Sequence, residues 1–395
     1  MNIQNFPIIH VAIPLLNEFE NLPTLIHDIE QQSFKAFKVW FCVNQPESWH
    51  SDSKKISEVL NNQLTIDYLK KLTSFQLVVL DKSSKGNGWN GKNHGVGMAR
   101  KVLMDSINQE AEKDDIILSL DGDTHFDPDY FQSIFDNFQT DSSLPALAIP
   151  YYHLLTGDRL ADRAILRYEI YMRHYEWNLR QIGSPYAFTA LGSAMACRVW
   201  AYRRIGGMTP KKSGEDFYFL QKMVKFKGIS TWNSLPVYPA ARFSDRVYFG
   251  TGPAMIKGAE GDWSSYPIYR SELFEMIREA FQIFPQLFFQ DIETPVDEVL
   301  GFGWAAALRS NCRTNEVFLK ACHDRFDGLR TLQFLKNNQK KYTTTDEENL
   351  RDFAERNSLV KLVKIVPEDF SFDSSDIEVL NQIRDYFYEK SFQKN

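Results

Sequence analysis

The stretch Asp115-Ile-Ile-Leu-Ser-Leu-Asp-Gly-Asp123 is an apolar run that ends in two aspartates separated by a glycine. Its continuous Ile and Leu residues are typical of a strand buried on both faces, as in a parallel sheet covered by helices. Carboxylates that follow such a strand lie at the carboxyl edge of the sheet, where open α/β sheets bind their ligands. Asp-Gly pairs are also common in plain turns, so the segment alone leaves both a binding site and a turn open.

Strand-like and helix-like segments alternate on both sides of this run. Helices are predicted at about residues 20–32, 92–111 and 158–182. Further strands are predicted at residues 8–14, 37–43, 75–81 and 146–152. The alternation predicts an α/β fold with a mostly parallel sheet flanked by helices.

Helical periodicity dominates after about residue 256. Two capping boxes, Thr345 with Glu348 and Ser375 with Glu378, predict helix starts there. We therefore divide the chain into an α/β domain over residues 1–255 and a C-terminal helical domain of unknown role over residues 256–395.

The composition narrows the class of protein. Of 395 residues, 43% are hydrophobic, and 45 Lys and Arg stand against 51 Asp and Glu, a net charge of −6. This is a globular composition without the basic excess that nucleic-acid binding needs. No apolar run reaches the roughly 18 residues of a transmembrane span, and the N-terminus lacks a signal-peptide pattern.

The four cysteines form no C-x-x-C pair, so we expect free thiols and a cytoplasmic location. Peripheral membrane contact and homo-oligomerisation stay open.

A second acidic pair, Glu215-Asp216, follows Ser213-Gly214 at the start of a predicted helix. One acid in a first helical turn is commonly a cap or a partner of the helix dipole. Two adjacent acids can instead place one carboxylate as a general base that removes a proton from an attacking hydroxyl.

A glycine-rich loop, Gly86-Asn-Gly-Trp-Asn-Gly91-Lys92-Asn93, precedes the predicted helix at 92–111. It nearly matches the phosphate loop G-x-x-x-x-G-K-[ST], but Asn93 replaces the hydroxyl residue that binds magnesium. Its backbone N–H groups can still line a phosphate site, and the alternative is a surface hairpin. Further along, Arg242 and Arg246 suit diphosphate oxygens or ordinary ion pairs.

Several of these features belong to longer segments that follow one another along residues 7–255. In one-letter code they are VAIPLLNEFENL, GKNHGVGMAR, LSLDGDTHFDPDYF, LGSAMACRVWAYRRIGGM and GEDFYFLQKM. In this order and spacing they resemble family 2 of the inverting glycosyltransferases. The resemblance implies a GT-A type fold, a Rossmann-like, mostly parallel sheet flanked by helices, to which this chain adds its C-terminal helical domain.

The resemblance also assigns residues to the donor side of a site. Pro14, Asn17 and Glu18 line the nucleotide, and Lys92 and Asn93 lie near it. The resemblance implies a nucleoside-diphosphate sugar as donor substrate and a divalent metal, Mn²⁺ or Mg²⁺, as cofactor.

At the metal, Asp121 contacts the ribose or the ion and Asp123 binds the ion. On the acceptor side, the resemblance makes Asp216 the catalytic base and places Glu215 beside it. The remaining assignments, to the acceptor side or to phosphate, are Gly192, Ser193, Arg242 and Arg246.

The chain departs from the family in two respects. Val43-Asn44-Gln45 stands where the family often has an aspartate that contacts the nucleobase, so the base is undetermined. The Q-x-x-R-W signature of polysaccharide synthases and their membrane helices are absent from the sequence, which favours transfer of a single sugar.

The expected function is metal-dependent transfer of one hexosyl unit to an acceptor hydroxyl, with inversion. The alternatives are a retaining GT-A enzyme with a small acceptor, a P-loop kinase or NTPase, and a protein that binds nucleotide-sugars without catalysis.

Overall fold

The computed structural model describes residues 6–91, 94–244 and 250–391. The strands are β1 Ile9–Leu15, β2 Phe37–Asn44, β3 Leu77–Lys82, β4 Ile116–Ser119, β5 His125–Phe126, β6 Ala146–Ala148, β7 Met195–Arg198 and β8 Val237–Tyr238.

The α-helices are α1 Leu22–Glu30, α2 Ile56–Leu69, α3 Val96–Glu110, α4 Tyr130–Thr140, α5 Arg159–Gln181, α6 Val199–Arg204, α7 Glu215–Lys227, α8 Thr251–Ala259, α9 Ser271–Ile283, α10 Asp297–Leu300, α11 Ala306–Arg309, α12 Asn315–Arg325, α13 Gly328–Gln339, α14 Asp346–Arg356, α15 Val360–Ile365 and α16 Ile377–Ser391. Short 3₁₀ helices occur at Phe19–Asn21, Glu47–Ser51, Ser53–Lys55 and Gln286–Phe288.

The chain divides into two compact units. The first comprises Met1–Thr156 and Ala190–Ile256 and holds the described strands, and the second comprises Gly157–Thr189 and Lys257–Asn395 and is helical. The second unit includes α5 because most of this helix is buried against other helices of that unit, α16 foremost. The linear division of the sequence into residues 1–255 and 256–395 did not anticipate that an early helix joins the later ones.

The central sheet of the first unit has the strand order β3-β2-β1-β4-β7-β6. Neighbours among β3, β2, β1 and β4 are parallel, and β7 runs antiparallel to both β4 and β6. Every residue of β1 is buried, as its continuous apolar sequence predicts for a strand covered on both faces. The predicted α/β fold with a mostly parallel sheet flanked by helices is confirmed.

A second, two-stranded sheet lies beside the acidic end of β4. In it β5 pairs antiparallel with β8, with His125 opposite Tyr238 and Phe126 opposite Val237. Strand β5 begins two residues after Asp123. Its pairing with β8 therefore holds the chain that follows Asp121 and Asp123 next to the segment that follows β8.

Several boundaries differ from the sequence prediction. The strand predicted at residues 146–152 is shorter, with β6 ending at Ala148. The Thr345 capping box is formed with Glu348. Helix α16 begins at Ile377, one residue later than a box at Ser375 predicts.

The second unit is held together partly by buried charge. Glu169 on α5 is fully buried, and its Oε1 accepts hydrogen bonds from Nε and Nη2 of Arg173 at 2.9 and 2.6 Å. Its Oε2 lies 3.5 Å from Nη1 of Arg384 on α16, which is also buried. The carboxylate therefore faces two buried guanidinium groups, of which that of Arg384 also pairs with Asp385 at 3.0 Å.

No helix within the described ranges combines the length and apolarity needed to cross a bilayer. Cys42, Cys197, Cys312 and Cys322 are free thiols, as their spacing predicts.

Candidate active site

The Asp-Gly-Asp turn after β4 packs directly against the segment that follows β1. A Cβ atom on Gly122 would lie 2.6 Å from Cδ2 of Leu15 and 3.2 Å from Cγ of Glu18, so a larger residue here would force these side chains to move. The turn therefore brings Asp121 and Asp123 beside Glu18 at the carboxyl edge of the parallel sheet. Open α/β sheets bind ligands at this edge.

A buried arginine, Arg100 on α3, joins the two acidic segments. Its Nη2 donates to Oδ1 of Asp121 at 2.5 Å, and its Nη1 donates to Oε1 of Glu215. Its Nε donates to the hydroxyl of Ser119 at 3.0 Å, and that hydroxyl donates to the carbonyl of Gly192 at 2.7 Å. The guanidinium thus connects the end of β4, the start of α7 and the turn before β7.

Sequence reasoning did not single out Arg100. Its neighbours on α3, Ala99, Leu103, Met104 and Ile107, are all buried, and Arg100 is 1% exposed. A charged residue within the apolar stripe of a helix was the available signal, because such residues are rarely buried without a partner. Gly192 is also explained by Arg100, since a Cβ atom at this position would overlap the guanidinium group.

The predicted base and its neighbour open α7 directly after Gly214, whose φ of 75° is in the left-handed region that favours glycine. Glu215 is buried and Asp216 is half-buried. Burial raises the pKa of Asp216 to about 7, and the adjacent Glu215 carboxylate adds to this by repulsion. Burial also raises the pKa of Glu215, while Arg100 opposes the shift. Asp216 therefore has the pKa of a general base for neutral pH.

Arg242, in the segment after β8, binds the carboxylates on the other side of the site. Its Nη2 lies 2.6 Å from Oδ2 of Asp123 and also donates to Oε1 of Glu18. Its Nη1 donates to Oε2 of Glu18 at 3.2 Å. Of the two predicted arginines, Arg242 is thus in the site, whereas Arg246 lies outside the described residues.

The segment after β1 is held in place by hydrogen bonds to neighbouring side chains. Asn17 has φ 56°, a conformation that asparagine adopts more readily than most residues, and its N–H donates to Oδ1 of Asn62 at 2.8 Å. The Nδ2 of Asn62 donates to Oε1 of Gln45 at 2.7 Å. Pro14 is buried inside β1, opposite Cys42 of β2.

Amide side chains stand at the position where the resembled family often has an aspartate that contacts the nucleobase. They form hydrogen bonds to other residues of the protein. Nδ2 of Asn44 donates to the carbonyl of Leu15 at 2.9 Å, and Nε1 of Trp89 donates to Oδ1 of Asn44 at 3.2 Å. Asn44 and Gln45 are both buried. These contacts brace the ends of β1 and β2 at the edge of the site.

The glycine-rich loop directs two amides to a carboxylate of the protein. The N–H groups of Gly86 and Gly88 donate to the two oxygens of Glu47 at 2.8 and 2.9 Å. These bonds lower the pKa of Glu47, chiefly through Gly86. Because the loop amides bind an internal anion and α3 begins only at Val96, this part of the chain is not arranged as a phosphate loop. Lys92 and Asn93 lie outside the described residues.

The predicted acceptor-side pair lies on the turn before β7. The carbonyl of Gly192 accepts a hydrogen bond from the Ser119 hydroxyl that Arg100 also contacts. The adjacent Ser193 is buried. The structure therefore brings together Asp121, Glu215 and Gly192 around Arg100, and Asp123 and Glu18 around Arg242.

The two carboxylates that follow β4 suit a cation. Asp121 and Asp123 offer oxygen ligands, which hard divalent ions prefer, and a guanidinium already binds Asp123. Across residues 6–91, 94–244 and 250–391, no group of three or more His, Cys, Asp or Glu is placed to hold a metal ion.

No family model matches the sequence, and no curated protein matches it. Among solved structures, S. aureus TarS 1-349 in complex with UDP-GlcNAc is 13% identical, with 97% of this chain and 92% of that chain covered and a TM-score of 0.42. The mannosyltransferase PcManGT from Pyrobaculum calidifontis, in complex with GDP-Man and Mn²⁺, is 12% identical, with 96% and 86% covered and a TM-score of 0.43.

GalNAc-T7 with UDP, GalNAc and Mn²⁺ is 13% identical, with 80% of this chain and 56% of that chain covered and a TM-score of 0.38. These structural neighbours are glycosyltransferases. At these identities and TM-scores the likeness assigns no activity to this chain.

Proposed function

We propose that this chain is a metal-dependent glycosyltransferase that moves a single hexosyl unit from a nucleoside-diphosphate sugar to an acceptor hydroxyl, with inversion. The observation that carries the proposal is the grouping of Asp121 and Glu215 on Arg100, with Asp216 next to Glu215 at the start of α7. Asp121 and Glu215 thus belong to one hydrogen-bonded group, and the proposed base follows Glu215 directly in the sequence.

Asp216 acts on the acceptor. With a pKa near 7, a large fraction of its carboxyl groups is ionised at neutral pH, and the group is basic enough to accept a proton as the hydroxyl attacks. The acceptor oxygen forms a bond to the anomeric carbon while the bond from that carbon to the diphosphate oxygen breaks. The proton goes to Asp216 and the electron pair to the leaving diphosphate, so one displacement inverts the configuration.

The leaving group is bound on the side of Asp123. Asp121 and Asp123 would hold the divalent metal, which when bound neutralises charge on the departing diphosphate. Glu18 and Arg242 border this position, and Asn17 and Glu18 shape the segment where the nucleotide would bind.

The test begins with a thermal-shift screen of UDP, GDP, CDP, ADP and dTDP, each with and without Mn²⁺. A ligand that binds the native state raises the melting temperature, so the responding base selects the donor sugars for a turnover assay. We expect product with inverted anomeric configuration by NMR. If none of these nucleotides binds with or without Mn²⁺, the proposed function is wrong, and a product of retained configuration removes Asp216 from the role of base.

The cytoplasmic location stays a prediction.

A further inference from the structure

Arg242 occupies the position in which the proposed metal would bind Asp123. Its Nη2 is 2.6 Å from Oδ2 of Asp123, and the same nitrogen also donates to Glu18. A carboxylate oxygen that accepts a hydrogen bond from a guanidinium at this distance has its charge already neutralised. A divalent ion can use that oxygen fully only after Arg242 has moved away.

The two contacts of Arg242 are unequal. Glu18 is 4% exposed, and both of its carboxylate oxygens accept from the guanidinium fork. Asp123 is contacted through Nη2 and keeps more solvent exposure than Glu18, with 16% of its side chain accessible against 5%. Glu18 therefore anchors the arginine, and Asp123 is the partner that is exchanged more easily.

A diphosphate is a natural replacement partner for the arginine. Guanidinium groups bind phosphate oxygens through two parallel hydrogen bonds, as they bind carboxylates. A nucleoside diphosphate at this edge of the sheet thus offers Arg242 new acceptors and releases Asp123.

Resting on the proposed function, we infer that Arg242 exchanges Asp123 for the diphosphate of the donor, and that this exchange couples metal binding to nucleotide binding. Without nucleotide the arginine competes with the ion for Asp123. With nucleotide the arginine turns to the diphosphate, and the ion gains both Asp123 and diphosphate oxygens. Coupling of this kind is reciprocal, so the ion tightens nucleotide binding by the same factor.

The first experiment measures Mn²⁺ alone, by titrating the full chain and following free Mn²⁺ by electron paramagnetic resonance. We expect Arg242→Gln to bind Mn²⁺ at least about tenfold more tightly than the wild type, within the usual range of such couplings. Arg204→Gln is the matched control, because this exposed arginine of α6 removes the same charge from the same unit. The gain must disappear in the double variant Asp123→Asn/Arg242→Gln.

An unchanged Mn²⁺ affinity in Arg242→Gln overturns the inference, as does an equal gain in Arg204→Gln, which would make the effect one of net charge. Arg242→Lys keeps the charge but loses the fork, and we expect an intermediate affinity. Arg242→Lys also replaces Arg242→Gln as the test variant if Arg242→Gln does not show the melting transition of the wild type.

A second measurement needs only the wild-type chain and Arg242→Lys. We expect saturating UDP or GDP, whichever binds, to tighten Mn²⁺ binding at least about tenfold in the wild type and less in the variant. Equal coupling in the two proteins contradicts the inference while leaving the glycosyltransferase proposal intact. If no nucleoside diphosphate binds, the proposed function fails, and the experiment with Mn²⁺ alone still decides whether Arg242 blocks Asp123.

Discussion

Arg100 on α3 donates a hydrogen bond to Glu215, the first residue of α7, and both side chains are buried. The same guanidinium binds Asp121 at the end of β4. One buried cation therefore balances a carboxylate on each side of the site and holds the start of α7 near the end of the sheet. Asp216, the next residue, has its charge opposed by Glu215, which contributes to its raised pKa.

Removing Arg100 should cost both stability and activity. In Arg100→Met the carboxylates of Glu215 and Asp121 lose their counter-charge, and breaking a buried pair in this way costs about 3–5 kcal/mol. We expect the free energy of unfolding, measured in urea, to fall by about this amount, and the rate of sugar transfer to fall with it. Arg204→Met, at an exposed arginine of α6, is the control, with an expected loss of about 1 kcal/mol or less. Equal losses in the two variants would remove Arg100 from its proposed role.

Gly192 should be intolerant of a methyl group for a reason that depends on Arg100. The Cβ atom of Gly192→Ala would overlap the guanidinium and push it away from Asp121 and Glu215. We therefore expect a loss of activity and a lower melting temperature. In the Arg100→Met background the same substitution should cost much less, since the group it displaces is gone. Additive effects of the two substitutions, measured as a double-mutant cycle, would contradict this explanation.

The sheet was predictable because its strands carry apolar runs, such as Val11–Leu15 and Ile116–Leu118, that a sheet covered on both faces buries. The acidic turn after β4 was predictable for the same reason, since it ends such a run. Arg100 was not, because its role depends on Glu215, which lies 115 positions away in the sequence. Nor was the placement of α5 in the second unit, because amphipathic periodicity shows that a helix has a buried face and not which neighbours cover it.

The activity should depend on pH through Asp216. The proposed base can accept a proton only when deprotonated, so kcat/KM should rise with pH and level off above an apparent pKa near 7. Asp216→Asn should lower the rate by roughly 10²–10⁴-fold, the usual contribution of a general base. Asp67→Asn, an exposed carboxylate of α2, should leave the profile unchanged. A wild-type profile that stays flat between pH 5.5 and 8.5, a window of about ±1.5 units around that pKa, would argue against Asp216 as the base.

The same raised pKa predicts a stability cost at neutral pH. Between the ordinary pKa of an aspartate, about 4, and the native value of about 7, the folded state binds more protons than the unfolded state, so stability falls as pH rises. Asp216→Asn removes this penalty. We expect the melting temperature of the variant to exceed that of the wild type at pH 8, and to exceed it by less at pH 5. In a domain of this size, each kcal/mol of stability shifts the melting temperature by roughly 2–4 °C. If the variant gained more in melting temperature at pH 5 than at pH 8, the pKa of Asp216 in the folded protein would not be raised.

Two ion pairs on α5 of the second unit offer a matched comparison of buried and accessible charge. Glu169 and Arg173 are four residues apart, as are Glu176 and Arg180, and both pairs have a contact of 2.6 Å. Glu169 is fully buried and also faces Arg384, whereas the side chains of the second pair are 15% and 22% exposed. The two pairs thus share spacing and contact distance and differ in access to water.

Glu169→Gln should therefore destabilise the second unit far more than Glu176→Gln. The first substitution removes the buried carboxylate that faces both Arg173 and Arg384, and breaking such buried pairs costs about 3–5 kcal/mol, although Arg384 keeps its 3.0 Å ion pair with Asp385. The second removes a charge that water can replace, at a cost of about 1 kcal/mol or less. Calorimetry of the full chain measures both, and we expect the transition of the second unit to shift in Glu169→Gln while that of the first unit stays. Similar shifts in the two variants would mean that water reaches Glu169 and that its pairing with the two arginines contributes little to the stability of the unit.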